Sequence, residues 1–395
     1  MGRHQAITAA QLWDGSKLIS NPVVEIEDGQ IVALGSQAQL AVPTGADLLD
    51  FPNAILAPAF FDVHNHGGAG HDIMEATPES TKTVSRFLAG RGTGSYLATT
   101  VTAPLDTILR SLEGLAKRIR EAQSDTQSGI WVGARPLGVH LEGPFLSHAK
   151  RGVHPPQHLL APDIALFDRM YEASEGHIRL LTLAPELPEA AAFAAHAVAK
   201  GVRISVGHSN ATAAETHAAI DAGATSATHT FNAMRPLDHR EIGILGTVLT
   251  TDSLFAELIC DGIHVHPSLV KLWWRAKGSK RGILITDAMS ASGMPEGEYM
   301  LGEMTIQVVN GHATANGVLA GSVLTLDRAL QNFVAYTGVT VESALPLLTH
   351  NPAAMTGFSD LAGSIRTGQP ANLVALDPSG ALIASIVQGR VSNPN

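Results

Sequence analysis

Phe60-Phe61-Asp62-Val63-His64-Asn65-His66-Gly67-Gly68 is an apolar run that ends in two histidines and a glycine pair. Extended back to residue 55, it reads as a buried strand over 55–63 that delivers His64 and His66 at its C-terminal end. Residues two apart on a strand share a face, about 7 Å from each other along it. The pair can therefore converge on one ion. Alone, His-x-His is a weak signal, because two polar residues in a turn look the same. Seven further apolar runs strengthen it: 95–101, 137–141, 178–183, 203–207, 225–229, 254–260 and 282–286. Helix-like segments separate most of them. One starts at Pro104-Leu105-Asp106 and runs to Glu121, another from Glu186 to Lys200 before Gly201, a third from Ala211 to Ala222 before Gly223. Proline in a first turn and glycine after a last turn are ordinary helix punctuation. Eight strand–helix units over some 300 residues predict a (β/α)8 barrel, with a doubly wound open sheet as the alternative.

The flanks read differently. Val23–Glu27 and Gln30–Leu34 are joined by Asp28-Gly29, a strong hairpin signal. Ala371–Leu376 and Ala381–Val387 are strand-like, with Asp377-Pro378 and Ser379-Gly380 between them. The expected organisation is a small β-sandwich domain built from both chain ends, 1–57 and 358–395, around a catalytic barrel over 58–357. A glycine-rich stretch at 291–320 reads as irregular, an active-site loop or a crossover, and two helices are expected after it, at 322–336 and 340–349.

Composition narrows the function. The 395 residues are 45% hydrophobic and 16% charged, with 26 Lys and Arg against 36 Asp and Glu, a net charge of −10. That supports a large core and argues against a nucleic-acid surface, which needs clustered cations. One cysteine, Cys260, excludes disulfide, Cys-rich zinc and iron–sulfur scaffolds. No apolar run approaches the roughly 18 residues of a membrane span, and Met1-Gly2-Arg3-His4 lacks a signal-peptide core. A cytoplasmic protein is the expectation.

Histidine is abundant, at 18 residues, so a transition metal here would be held by imidazole and carboxylate. The third run continues into His140-Leu141-Glu142-Gly143-Pro144, and the fifth ends in Gly207-His208-Ser209. The sixth ends in His229-Thr230-Phe231-Asn232, the eighth in Thr286-Asp287-Ala288-Met289. Each places a His or carboxylate where barrel active sites lie. Any one of them could be a buried His or a helix-capping Asp; five at matching places point to a metal centre. Glu142, His208 and His229 would make a three-ligand catalytic site. His64, His66 and Asp287 could add a second, with Glu142 bridging. Zinc is the first expectation, with ferrous iron, manganese or cobalt compatible. A bound cation lowers the pKa of water from 15.7 to about 7, and Asp287 is placed to shuttle the proton.

These segments resemble the N-acetylglucosamine-6-phosphate deacetylase family of the amidohydrolase superfamily. Further matches are Gly152-Val153-His154-Pro155, Asn232-Ala233-Met234, Asp261-Gly262-Ile263-His264 and Leu319-Ala320-Gly321-Ser322. The resemblance implies hydrolysis of the acetamide of N-acetylglucosamine 6-phosphate to glucosamine 6-phosphate and acetate. It implies that Glu142, His208 and His229 hold the principal metal and that His64 and His66 help hold a second, which some members lack. Asp287 would activate water and then protonate the leaving amine. His154 would contact the acetyl carbonyl or nearby hydroxyls. Asn232, the Ala233 backbone, Arg240 and His264 would bind the sugar phosphate, and Leu319 would line the same site. Part of the phosphate site would come from a second subunit, which implies a homodimer. The family's Arg-Glu-Pro-Gly is here Arg240-Glu241-Ile242-Gly243, a departure that bears on the loop carrying Arg240. The alternatives are N-acetylgalactosamine-6-phosphate deacetylation, a cyclic amidase, a deaminase, an N-acyl amino acid deacylase, or a metal-binding sensor without turnover.

Overall fold

In the computed structural model, residues 4–392 are described; the Met1–Arg3 part of the amino-terminal reading lies outside them. The centre is an eight-stranded parallel sheet in chain order: β1 (Phe60–Asn65), β2 (Thr93–Thr100), β3 (Arg135–Glu142), β4 (Ile178–Leu183), β5 (Arg203–Val206), β6 (Ala224–Ala227), β7 (Phe255–Ile259) and β8 (Gly282–Ile285). It closes into a barrel just past its last strand. The Asp287 amide donates to His64 O at 2.9 Å and the His66 amide to Ala288 O at 2.8 Å. Thr286 Oγ1 donates to Asp62 Oδ2 at 2.6 Å across the same seam. The closed seam decides for the barrel over the open sheet.

Helices cover the outside because their apolar residues recur every three or four positions. The helix Leu105–Gln127 buries Ile108, Leu112, Leu115, Ile119 and Ala122. It runs six residues past the expected end, and Pro104 sits in extended backbone just before it. The helix Ala213–Asp221 is opened by a reciprocal cap, the Glu215 amide on Thr212 Oγ1 and the Thr212 amide on Glu215 Oε2. Aromatic side chains tie the helical layer together, as where Phe167 meets Phe193 at 5.4 Å and Phe333 meets Trp274 at 5.5 Å between ring centres. Among the described residues, no helix is long and apolar enough to cross a membrane.

Both ends of the described chain enter one eight-stranded sheet. Leu373–Leu376 lies antiparallel to the end of the strand Asp47–Pro58, and Leu382–Val387 follows it. The hairpin expected at Asp28-Gly29 forms, with φ of 49° and 81°. The sheet doubles over, so that Ile26 and Ile31 share one apolar cluster with Ala384 and Ile386 from its other end. The run read as one strand over 55–63 is therefore two. Ile55–Pro58 belongs to this sheet and Phe60 begins the barrel, because Ala59 turns between two hydrogen-bonding partners, Asn372 O and then the barrel.

The stretch 291–320 is not irregular. It forms an antiparallel meander of Gly297–Leu301, Met304–Val309, His312–Ala315 and Val318–Leu319. Asn310-Gly311 and Asn316-Gly317 make its tight turns with positive φ at both residues. The helix expected at 322–336 spans Leu326–Thr337. The one expected at 340–349 breaks after Val341–Ala344 into a tight turn containing Pro346, which has no amide to continue the ladder, and a new helix runs from His350 to Thr356.

Candidate active site

The C-terminal ends of β1, β3, β5, β6 and β8 bring six buried side chains to one point. His64 and His66 extend from β1, and their Nε2 atoms lie 3.2 Å apart. Glu142 ends β3; its Oε1 lies 3.4 Å from His64 Nε2, 3.4 Å from His208 Nε2 and 3.2 Å from His229 Nε2. Its Oε2 lies 3.1 Å from His66 Nε2. Asp287 Oδ1 lies 3.1 Å from His66 Nε2 and 3.4 Å from His64 Nε2. His208, His229 and Asp287 have φ of 48°, 26° and 50°. Non-glycine residues avoid this left-handed region, and where it is tolerated it is concentrated at functional sites. Here it turns the chain sharply after each strand and swings the side chain over the barrel mouth.

The proton positions on these imidazoles follow from their other ring nitrogen. His66 Nδ1 faces the carbonyl of Thr99 at 3.2 Å and His208 Nδ1 that of Lys150 at 2.9 Å. A carbonyl only accepts, so Nδ1 carries a proton and Nε2 is the nitrogen left to meet a cation. His229 Nε2 faces both His208 Nε2, at 3.0 Å, and Glu142 Oε1, at 3.2 Å, and its buried Nδ1 has no hydrogen-bond partner. Glu142 Oε1 is buried and makes no hydrogen bond, although three ring nitrogens surround it. Nitrogen lone pairs and carboxylate oxygens directed at common points are reconciled by a divalent cation, and the donor set fits one. At this site, two groups of three have their ligand atoms within 4.8 Å of each other: His64, His66 and Asp287, and Glu142, His154 and His208.

His154 differs from its neighbours. The Thr102 amide, which can only donate, points at His154 Nδ1 from 3.3 Å, and Thr102 Oγ1 lies 2.9 Å away. That leaves the proton on Nε2, 3.7 Å from Glu142 Oε2. His154 is thus arranged as a hydrogen-bond donor toward the mouth, even though it sits among the ligand atoms.

The charges support one another. Burial lowers His66, but hydrogen bonds with Asp287 and Glu142 outweigh it and raise its pKa to about 9. Burial would raise Asp287, yet the two imidazoles His64 and His66 hold its carboxyl well below the usual range. Glu142 is lowered likewise against its burial, chiefly by His64. His208 goes the other way, to about 4, because desolvation exceeds the pull of Glu142. A divalent cation would take the place of the protons as positive partner.

A cavity of about 410 Å³ opens over this cluster. His154, Asn232, Ala233, His264 and Leu319 all line it, together with the metal-ligand candidates His66, Glu142, His208, His229 and Asp287. His264 is oriented by Asp261, whose Oδ2 lies 2.6 Å from His264 Nδ1. Arg240 is not brought to this cavity: it lies on the exposed segment 236–240. Neither nearby carboxylate is committed to its guanidinium. Asp238 accepts Arg240's own amide at 2.8 Å, and Glu241 accepts the amides of Ala213 and Gly243 at 3.0 Å each. Ile242 has φ of −66°, the value a proline ring imposes, so the loop keeps the backbone that the proline of Arg-Glu-Pro-Gly would set.

The sequence reading passed over three residues of this site. Lys150 lines the cavity and holds His208 through its carbonyl. Thr102 sets the His154 ring. Glu257 lies 3.2 Å from His64 Nδ1. Only Glu257 left a trace, as the one acid inside the apolar run Phe255-Ala256-Glu257-Leu258-Ile259; a charge in a buried strand needs a partner.

Comparison with known proteins agrees with this geometry. The model of the Amidohydrolase family matches residues 55–393. The chain is 39% identical over 372 residues to an N-acetylgalactosamine-6-phosphate deacetylase of Escherichia coli O157:H7, covering 94% of each chain. It is 36% identical to an N-acetylglucosamine-6-phosphate deacetylase of Lysinibacillus sphaericus, over 93% of this chain and 92% of that one. The structure of N-acetyl-D-glucosamine-6-phosphate deacetylase from Mycobacterium smegmatis, in complex with N-acetyl-D-glucosamine-6-phosphate, superimposes with a TM-score of 0.90 at 36% identity, covering 99% of this chain and all of that one. The chain belongs to the amidohydrolase family, in its branch of amino-sugar 6-phosphate deacetylases.

Proposed function

We propose that the protein hydrolyses the acetamide of N-acetylglucosamine 6-phosphate, releasing acetate and glucosamine 6-phosphate. The observation that carries this reading is the convergence of imidazole Nε2 atoms and the Glu142 carboxylate beside Asp287, at the floor of a cavity that the family's substrate-binding positions line. Glu142, His208 and His229 would hold one divalent cation and His64 and His66 a second, zinc being the metal best suited to this donor set. Bound there, a cation would supply Lewis acidity, polarising the acetyl carbonyl and bringing the ionisation of water toward neutral pH. Asp287 takes the proton from the water that attacks the acetyl carbon. His154 Nε2–H donates to the carbonyl oxygen as charge gathers there. The C–N bond then breaks, and Asp287 returns its proton to the departing amine. Asn232, Ala233, His264 and Leu319 position the sugar. Arg240 serves the phosphate of a second subunit's substrate in a homodimer, which accounts for its place outside this chain's own cavity.

The deciding experiment is acetate release from N-acetylglucosamine 6-phosphate and from unphosphorylated N-acetylglucosamine, with zinc-loaded protein. Turnover confined to the phosphorylated sugar is the expected result; no turnover on either would overturn the reading. A second reading, the galactosamine epimer, is favoured by the 39% identity to a relative named for that substrate. The ratio of kcat/KM on the two epimers decides between them.

A further inference from the structure

Glu257 sits in the middle of β7, fully buried at the heart of the barrel. The proton transfers of the hydrolysis do not pass through it. Its Oε2 lies 3.2 Å from His64 Nδ1 and accepts the backbone N–H of His229 at 3.3 Å. A carboxylate oxygen only accepts, so toward both groups Glu257 calls for a donor: the His229 amide on one side and the His64 ring on the other. A proton on His64 Nδ1 leaves the lone pair on Nε2, the atom that faces His66, Glu142 and Asp287.

The contrast with the other rings is informative. His66 and His208 are fixed by main-chain carbonyls, which are supplied whatever the side chains. His64 is fixed by a side chain 193 residues away. Its other close neighbour, His140, packs edge-on at 4.6 Å between ring centres, and its nitrogens face Thr182 and Thr99 instead. Among the described residues, Glu257 is the one hydrogen-bond partner of His64 Nδ1. Imidazole ligands owe their orientation and basicity to such outer partners, whose loss typically weakens metal binding 10–100-fold.

We infer that Glu257 is a positioning residue that keeps the proton on His64 Nδ1 and so makes His64 Nε2 a ligand of the second cation, the one it would hold with His66. This rests on the divalent-cation reading above. It separates the two cation positions, because Glu257 has no side-chain bond to His208 or to the ring of His229. The main-chain bond from Thr230 N–H to Glu257 O holds the adjoining loop whatever side chain stands at 257.

The test is a zinc titration of the full-length protein against a competing chelator, with Glu257→Leu, Glu257→Gln and His64→Asn. The zinc whose affinity falls in His64→Asn marks the position concerned. Glu257→Leu is expected to weaken that zinc 10–100-fold and leave the other unchanged. Glu257→Gln, which retains an acceptor oxygen, is expected to recover most of the loss and serves if the leucine variant does not fold. In zinc-loaded protein, the hydrogen-bonded Nδ1–H proton resonance of His64 should persist in Glu257→Gln and vanish in Glu257→Leu. Unchanged affinity in Glu257→Leu, equal weakening of every zinc, or no effect of His64→Asn would overturn the inference. A wild-type protein that binds no zinc would instead overturn the cation reading on which it stands.

Discussion

At the scale of single residues, the site works by opposed assignments of one proton. His66 and His208 hold theirs on Nδ1 and His154 on Nε2, and in each case the deciding group is a carbonyl or an amide that cannot reverse its role. Asp287 is the residue proposed to carry the proton transfers. Asp287→Asn keeps its size and removes its basicity, so we expect kcat to fall about 10²–10⁴-fold, the usual worth of an acid–base group. Zinc content should survive better than turnover, and near-normal kcat would show that another group moves the proton. The residue types and their places at strand ends were legible in the sequence. The tautomers were not, because each depends on a group that only folding brings within 3.5 Å.

At the scale of elements, turns carry the functional side chains and each turn is held by a neighbour. Gly143 follows Glu142 with φ of 87°, and a methyl group added there would collide with Thr102 Oγ1. Thr102 orients His154, so Gly143→Ala is expected to disturb both Glu142 and His154. We expect a loss of about 1–3 kcal/mol in stability from backbone strain and crowding, read by urea denaturation, and a larger loss of activity than of fold. The helix Gly243–Thr250 ends on Lys277, whose Nζ donates to Val248 O at 2.9 Å and Thr251 O at 2.8 Å. Burial lowers its pKa from 10.5 to about 8. The folded protein then binds fewer protons than the unfolded chain between these values, so this group's contribution to stability rises with pH across that window. Relative to Lys277→Met, the wild type should gain stability from pH 8 to 10.5; a difference independent of pH would refute the shift. The alternation and the Asn-Gly turns of 297–319 were readable as a meander. The glycine content drew the reading toward an irregular loop instead.

At the scale of the whole molecule, the barrel seam and the proposed subunit contact matter most. The seam passes through Asp62, Thr286 and Asp287, so the strand that closes the barrel also leads into the residue proposed as proton shuttle. Thr286→Val would leave the buried Asp62 carboxyl short of its shortest bond, and we expect a cost of about 1–3 kcal/mol, measured as a shift of the denaturation midpoint. Arg240 lies outside its own cavity, which makes the homodimer testable. Arg240→Ala should raise KM for the phosphorylated substrate, and Asp287→Asn should abolish turnover. Co-expressed, the two variants should regain activity, because the Asp287 of one chain is then paired with the Arg240 of the other. If co-expression yields no more than the sum of the separate variants, Arg240 does not act across subunits.

Eight apolar runs with helices between them, and a His or carboxylate at the end of five, are local features of the sequence: periodicity selects strands and helices, and the strand ends select the barrel mouth. By these the chain determined its barrel, its hairpin at Asp28-Gly29 and the set Glu142, His208, His229, His64, His66 and Asp287. Tertiary structure alone decided how those atoms face one another, that Glu257 on β7 supports His64 on β1, and that Arg240 stands apart from the cavity. Distances across a barrel depend on strand register and closure, which are settled by the packing of residues far apart in the chain and leave no mark in any short stretch of it.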